Sequence, residues 1–245
     1  MKFANKIFFC ISLLLLTSCG STSVKEEFDS LSESEMVKIA SEYMNDGSYY
    51  LAAEFYSKLN KIYPYSKNNE LNRVNAIYCD VMSTDYATAI SEAGYFQKLH
   101  PHSKYIQWVS FIDAYAEFKL NRKWIQEYIG SDRAMNDVSN LETAYKKAGR
   151  LVSRYPKSKY APAAVELQHK INAILAKEYY DVSEFYYSRE AYVASANRAA
   201  NIISRFPHSC EVPKAIKILK DSYAKLGLTS WADDMAKLEK INNFK

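Results

Sequence analysis

The sequence predicts an all-α chain organised as an α-solenoid of about five helix pairs. Three observations carry that expectation. A helix-ending unit recurs four times along the chain, around Pro64, Pro101, Pro156 and Pro207. Turn formers are scarce, with 6 Gly and 6 Pro in 245 residues, while helix formers abound. Apolar residues between the prolines recur at intervals of three and four rather than two.

The recurring unit is clearest over residues 144–158. A compact residue stands twelve places before each proline: Ala52, Ala89, Ala144 and Ser195. A second position stands eight before it (Tyr56, Ala93, Ala148, Ala199), and a large apolar residue five before it (Leu59, Phe96, Leu151, Ile202). Intervals of four and three place these positions on one helical face. Compact residues there let a neighbouring helix approach, and the large one fills the space beyond. Next come an aromatic or His, the Pro, one free position and a Ser, as in Tyr155-Pro156-x-Ser158. Proline lacks an N–H and clashes with the preceding turn, so each unit ends a helix. The prolines are 37, 55 and 51 residues apart. A tetratricopeptide period is about 34 residues, so the later gaps carry insertions.

In chain order, Ser32-Glu33-Ser34-Glu35 offers a capping box for the first helix, and Asp46-Gly47 ends it. Its partner covers about 49–63. The second pair has Val74, Ile77, Tyr78 and Val81 on its first helix and 86–99 as its second. The third begins with a helix over about 105–120. An insertion at 121–138 follows, then a helix with a capping box at Ser139-Asn140-Leu141-Glu142. The fourth begins with a long helix over about 161–187, with Pro162 in its first turn and a strongly aromatic end. The fifth covers about 213–226 and 230–243, separated by Gly227 as a C-terminal cap. The pairs thus span roughly 32–64, 68–101, 104–156, 160–207 and 211–244. No single pair buries its apolar face alone, so stacking supplies the core.

The N-terminus has a different character. Lys2 and Lys6 precede an apolar run at 7–16 that is short for a bilayer span and has the layout of a secretory signal. It ends in Leu16-Thr17-Ser18-Cys19-Gly20. This resembles the bacterial lipoprotein box, in which the Cys thiol forms a thioether to lipid and becomes the mature N-terminus. The expectation is a signal peptide at 1–18, lipidation at Cys19, a tether over 19–31 and a solenoid over 32–245. Gly20 in place of an Asp favours the outer membrane, with the folded part in the periplasm. More than one acyl chain gives stable anchoring.

Composition and motifs exclude several classes. The formal net charge of +4 falls to +2 without Lys2 and Lys6, too balanced for a nucleic-acid footprint. The four His are scattered, no pair has metal-ligand spacing with carboxylates, and no phosphate loop or nucleophile elbow is present. The expectation is therefore no catalytic residues, no metal and no cofactor, with carboxylates spread over solvated helix faces. Cys79 and Cys210 are expected as buried, unbridged thiols.

The anchor, the five pairs and the insertions in the third and fourth resemble the BamD family, the tetratricopeptide lipoproteins of the outer-membrane β-barrel assembly machinery. The closest stretches are Gly130-Ser131-Asp132-Arg133, Ala176-Lys177-Glu178-Tyr179, and Ser183-Glu184-Phe185-Tyr186-Tyr187 through Asn197-Arg198. The resemblance implies a non-catalytic scaffold that docks, through its C-terminal repeats, on a POTRA-containing insertase alongside other assembly lipoproteins. It also implies that the N-terminal repeats receive unfolded outer-membrane β-barrel proteins. Arg198 matches a position the family uses for the insertase contact. Tyr43, Met44, Tyr78 and Val81 could form an aromatic groove for a substrate segment. Two other classes compete. One is a periplasmic tetratricopeptide adaptor of division or constriction complexes, which would carry N-terminal heptads that are missing before Ser32. The other is a helical lytic transglycosylase, which would need a catalytic domain for which no residues remain.

Overall fold

The computed structural model describes the backbone of residues 31–127 and 138–241, and the side chains of these except 121–127. Among the described residues the chain forms ten α-helices and no strand. They are α1 (Glu33–Asn45), α2 (Tyr49–Ile62), α3 (Asn69–Met82), α4 (Tyr86–Leu99), α5 (Ile106–Glu127), α6 (Ser139–Arg154), α7 (Ala161–Ser188), α8 (Tyr192–Arg205), α9 (Val212–Lys225) and α10 (Thr229–Ile241). This is the all-α, tetratricopeptide-like arrangement that the periodicity predicts. Cys19, residues 1–30 and Gly130-Ser131-Asp132-Arg133 lie outside the described residues.

The repeat positions explain the packing. All twelve residues at the three intervals before the prolines are at most 1 % exposed, in every one of the four copies. Two of them carry a hydroxyl, and each is compensated. Tyr56 lies within 3.2 Å of the Ser41 hydroxyl through its own. Ser195 donates to the Ser183 carbonyl at 2.8 Å and accepts at its own carbonyl from the Ser183 hydroxyl at 3.0 Å. Buried hydroxyls are affordable only when paired in this way.

The turn after each copy is built from one set of hydrogen bonds. The residues before the prolines, Tyr63, His100, Tyr155 and Phe206, take φ between −133° and −118° and ψ between 54° and 61°. Each still donates its N–H to the helix, to Leu59, Phe96, Leu151 and Ile202 respectively. The Ser two places after the proline then accepts from the second N–H beyond it: Asn68 at 3.0 Å, Tyr105 at 3.1 Å, Tyr160 and Glu211 at 3.2 Å. Its side chain thus satisfies a donor that the next helix start leaves open.

Two compact units are present among the described residues, divided between Cys79 and Asp80. In the first, α1 packs on α2. Its core joins Met36, Ala40, Ala52, Ala53, Tyr56 and Leu59 to Ala76 and Cys79 of α3. The predicted capping box is present, with Ser32 N–H donating to Glu35 Oε2 at 2.8 Å and Glu35 N–H reaching Ser32 Oγ at 3.4 Å. In the second unit, each helix from α4 to α10 packs on the next, and α7 also touches α5 and α9. Contact between the first helices of successive pairs is what stacks them into an array. The turns within pairs reuse a left-handed residue: Gly47 (φ 77°) and Gly227 (φ 74°), but also Thr84 (φ 65°) and Glu190 (φ 61°).

Four expectations need correction. The α5 helix runs to Glu127 rather than ending at 120, so the 121–138 insertion begins as helix. The α6 helix is capped at Val138 without a side-chain bond, because Ser139 is already helical and the Glu142 carboxylate is taken by Arg205. Cys210 is exposed rather than buried, while Cys79 is buried; among the described residues neither is in a disulfide. Cys210 holds the third place after a proline, which is an exposed Lys in the other three copies. The carboxylates are not all on solvated faces, since Asp80, Asp113, Glu117 and Glu211 are at most 7 % exposed.

Candidate partner-binding surface

Arg198 lies on α8, half-buried, seven residues before Arg205 and so on the same face. Both guanidinium groups reach Tyr179 on α7, at 5.9 Å and 5.2 Å from its ring centroid. Arg205 is fully committed. One nitrogen donates to the Tyr179 hydroxyl, another to Glu142 Oε1 of α6 at 2.7 Å, and Phe206 packs on Tyr179 at 5.9 Å. The bond to Glu142 also pushes the Arg205 pKa further up. Arg198 differs: among the described residues no carboxylate pairs with it. Its planar fork of five donors is held over an aromatic face, in a form suited to an incoming carboxylate. Tyr and Arg in one patch are the residue types that carry binding energy at interfaces.

The neighbouring end of the α7–α8 hairpin is aromatic as the sequence indicates. Phe185 meets Tyr186 at 5.7 Å, Tyr187 meets Tyr192 at 5.5 Å, and Arg189 stands 4.4 Å over Phe185. Val193 is 60 % exposed beside them.

The residues considered for a substrate groove lie on α1 and α3. Tyr43 and Met44 are half-buried against the core of the first unit, with Tyr43 5.5 Å from the Phe55 ring. Tyr78 packs edge-on to Tyr49 at 5.9 Å, and burial together with its bond to Tyr49 raises its pKa. Val81 is half-buried in the second unit. Three of the four thus serve helix contacts within the first pair and its successor.

A groove that the sequence did not flag lies in the second unit, about 670 Å³ in volume and lined by Gln97, Asp113, Lys146, Lys147, Arg150 and Arg154 among others. Two of its lining residues, Asp113 and Lys147, belong to an ion-pair triad with Glu117. Lys147 Nζ of α6 donates to Asp113 Oδ1 and Glu117 Oε2 of α5, each at 2.6 Å, and Gln97 of α4 donates to Asp113 Oδ2 at 3.0 Å. Burial pulls the Lys147 pKa down, but its bonds to the two carboxylates outweigh that and hold it up. The available signal was Asp113 and Glu117 at i and i+4, on the α5 stripe that also carries Val109 and Ala116. Among the described residues no three His, Cys, Asp or Glu side chains are grouped to hold a metal ion, and no helix is long and apolar enough to cross a membrane.

The outer membrane protein assembly factor BamD of Pasteurella multocida is 25% identical over 242 residues, covering 98% of this chain and 92% of that protein. The BamD proteins of Vibrio cholerae (24% identical, 95% of each chain) and Neisseria meningitidis serogroup A (25%, 97% of this chain and 91% of that one) are similar over the same extent. Among solved structures, MamA aligns over 84% of this chain and 88% of its own at 17% identity and a TM-score of 0.36. The sequence model of the YfiO family, described as outer membrane lipoprotein, matches residues 29–238, which takes in all ten helices except the end of α10 and extends into the residues before α1. A match over so much of a helical-repeat chain means that this protein belongs to the YfiO family of outer membrane lipoproteins.

Proposed function

We propose that this protein is a lipid-anchored assembly factor for outer-membrane proteins, a scaffold that binds other proteins and transforms none. Residues 1–18 are removed as a signal peptide, Cys19 is acylated, 19–31 tether the chain, and the repeats from 32 to 245 face the periplasm. Arg198 docks on an acidic group of a POTRA-containing insertase, beside other assembly lipoproteins, and the N-terminal repeats receive unfolded β-barrel chains. The support comes from family membership, from the assembly-factor names of relatives that match nearly end to end, and above all from Arg198, whose guanidinium has an aromatic seat and, among the described residues, no acid partner. An ion pair formed across a desolvated patch is lost at a cost of several kcal/mol when one charge is reversed.

The test is recovery of the insertase from envelope membranes by the lipidated protein. Arg198→Glu is expected to reduce recovery at least tenfold while leaving the helical circular dichroism intact. Unchanged recovery removes Arg198 from the contact. For the receiving role, a photoreactive peptide from the C-terminal strand of a barrel protein is expected to label the N-terminal repeats. Labelling confined to the fourth and fifth pairs rejects it.

A further inference from the structure

The turn that closes the first helix pair departs from its three copies. The free position after the proline is Tyr65, against His102, Lys157 and His208. Two places before the proline stands Ile62, against Leu99, Arg154 and Arg205. In all four copies the free position is exposed, because the backbone bonds of the turn point it outward. Exposure there belongs to the repeat, but the large phenol ring belongs to this copy: Tyr65 is 98 % exposed and Ile62 40 %. Lys61 and Lys67 are exposed on either side, and no carboxylate pairs with them among the described residues.

The same turn holds the start of the folded chain. The Tyr63 hydroxyl donates to the Leu31 carbonyl at 2.9 Å, and the Ser66 hydroxyl bonds the Glu33 carboxylate. Cys19 is twelve residues before Leu31. Whatever conformation those residues adopt, covalent geometry keeps Cys19 within ~40 Å of the chain start beside this turn.

We propose that the turn is a membrane-contact surface, with Tyr65 and Ile62 seated among the phospholipid headgroups of the leaflet that carries the acylated Cys19, and Lys61 and Lys67 over anionic headgroups. This rests on the lipid anchor proposed above. Tyrosine favours the headgroup level, where its ring is buried and its hydroxyl wet. Lysine stems lie along apolar surface while their ammonium groups stay with anionic lipid. Such a contact adds to the attachment that the acyl chains give, and it directs the first helix pair towards the bilayer.

The test uses the full chain, processed in the envelope, purified and reconstituted in vesicles of phosphatidylethanolamine and phosphatidylglycerol. A nitroxide is placed at Tyr65→Cys, or at the equivalent Lys157→Cys, with Cys210→Ser in both. The ratio of collision rates with oxygen and with a water-soluble nickel chelate reads immersion. At position 65 the ratio is expected to be at least threefold above that of the Cys19→Ser chain in buffer, and adding Ile62→Asp is expected to lower it. An acylated chain whose position 65 matches the buffer value overturns this inference and leaves the anchor standing. An intact mass without acyl chains overturns the anchor and this contact together.

Discussion

Replacing Lys147 by Met tests how the middle of the array is held. The Lys147, Asp113 and Glu117 side chains are only 14 %, 9 % and 9 % exposed. Methionine fills the volume of the lysine stem, so little packing is lost. What goes is the one cation bonded to both carboxylates, which then stand one helical turn apart with like charge. Breaking a buried pair from one side costs about 3–5 kcal/mol. For a chain of this size each kcal/mol moves the midpoint by about 2–4 °C, so Lys147→Met is expected to lower Tm by about 6–20 °C. The assay is thermal and urea unfolding followed by circular dichroism at 222 nm. Removing the charges together, as Asp113→Asn, Glu117→Gln and Lys147→Met, is expected to recover most of the loss, because no ion is then left unpaired. The lysine pKa is held above its usual 10.5 in the folded chain, so what its charge contributes is undiminished from neutral pH up to about 10.5 and is lost as pH rises through the raised value. A loss below about 1 kcal/mol for the single variant refutes the reasoning, since that is the scale of a solvated surface pair.

Three further outcomes follow from single residues. Burial, with Asp85 and Glu92 adding to it, pushes the Asp80 pKa from 3.8 up to about 7, so the folded state binds more protons than the unfolded one between those values. Stability is therefore expected to fall from about pH 4 to about pH 7 and level off above. Asp80→Asn should gain stability at pH 8 and none at pH 4; the ceiling is ~4 kcal/mol, and solvent screening brings it to about 2. Thr84 is β-branched at φ 65°, and Thr84→Gly is expected to stabilise by about 0.5–1 kcal/mol in urea unfolding. Ala148 is fully buried where a neighbouring helix comes close, so Ala148→Leu is expected to cost about 1–3 kcal/mol by overpacking, read by the same method.

Much of the fold was legible because the repeat carries its own instructions. Positions twelve, eight and five before each proline are buried wherever the motif occurs, and the pre-proline residue leaves the helical region each time. Periodicity and proline sterics act within one turn of chain, so they can be read without neighbours. Even the exposure of Cys210 was available from its repeat position, shared with Lys67, Lys104 and Lys159. The family was legible too, since the resemblance to the BamD proteins agrees with the family match over residues 29–238.

What the one-dimensional pattern left open was the pairing of charges. Glu142 reads as half of a capping box, yet Arg205, 63 residues later, takes its carboxylate. Asp113 and Glu117 read as solvated acids until Lys147, 34 and 30 residues on, is brought to 2.6 Å from both. Arg198 is an ordinary surface cation in the sequence, and only the approach of α7 gives it the Tyr179 ring at 5.9 Å. Helix identity and helix ends follow from backbone sterics and apolar spacing, which are local. Which acid meets which base depends on how far side chains reach between stacked helices, and that is decided only when the helices pack.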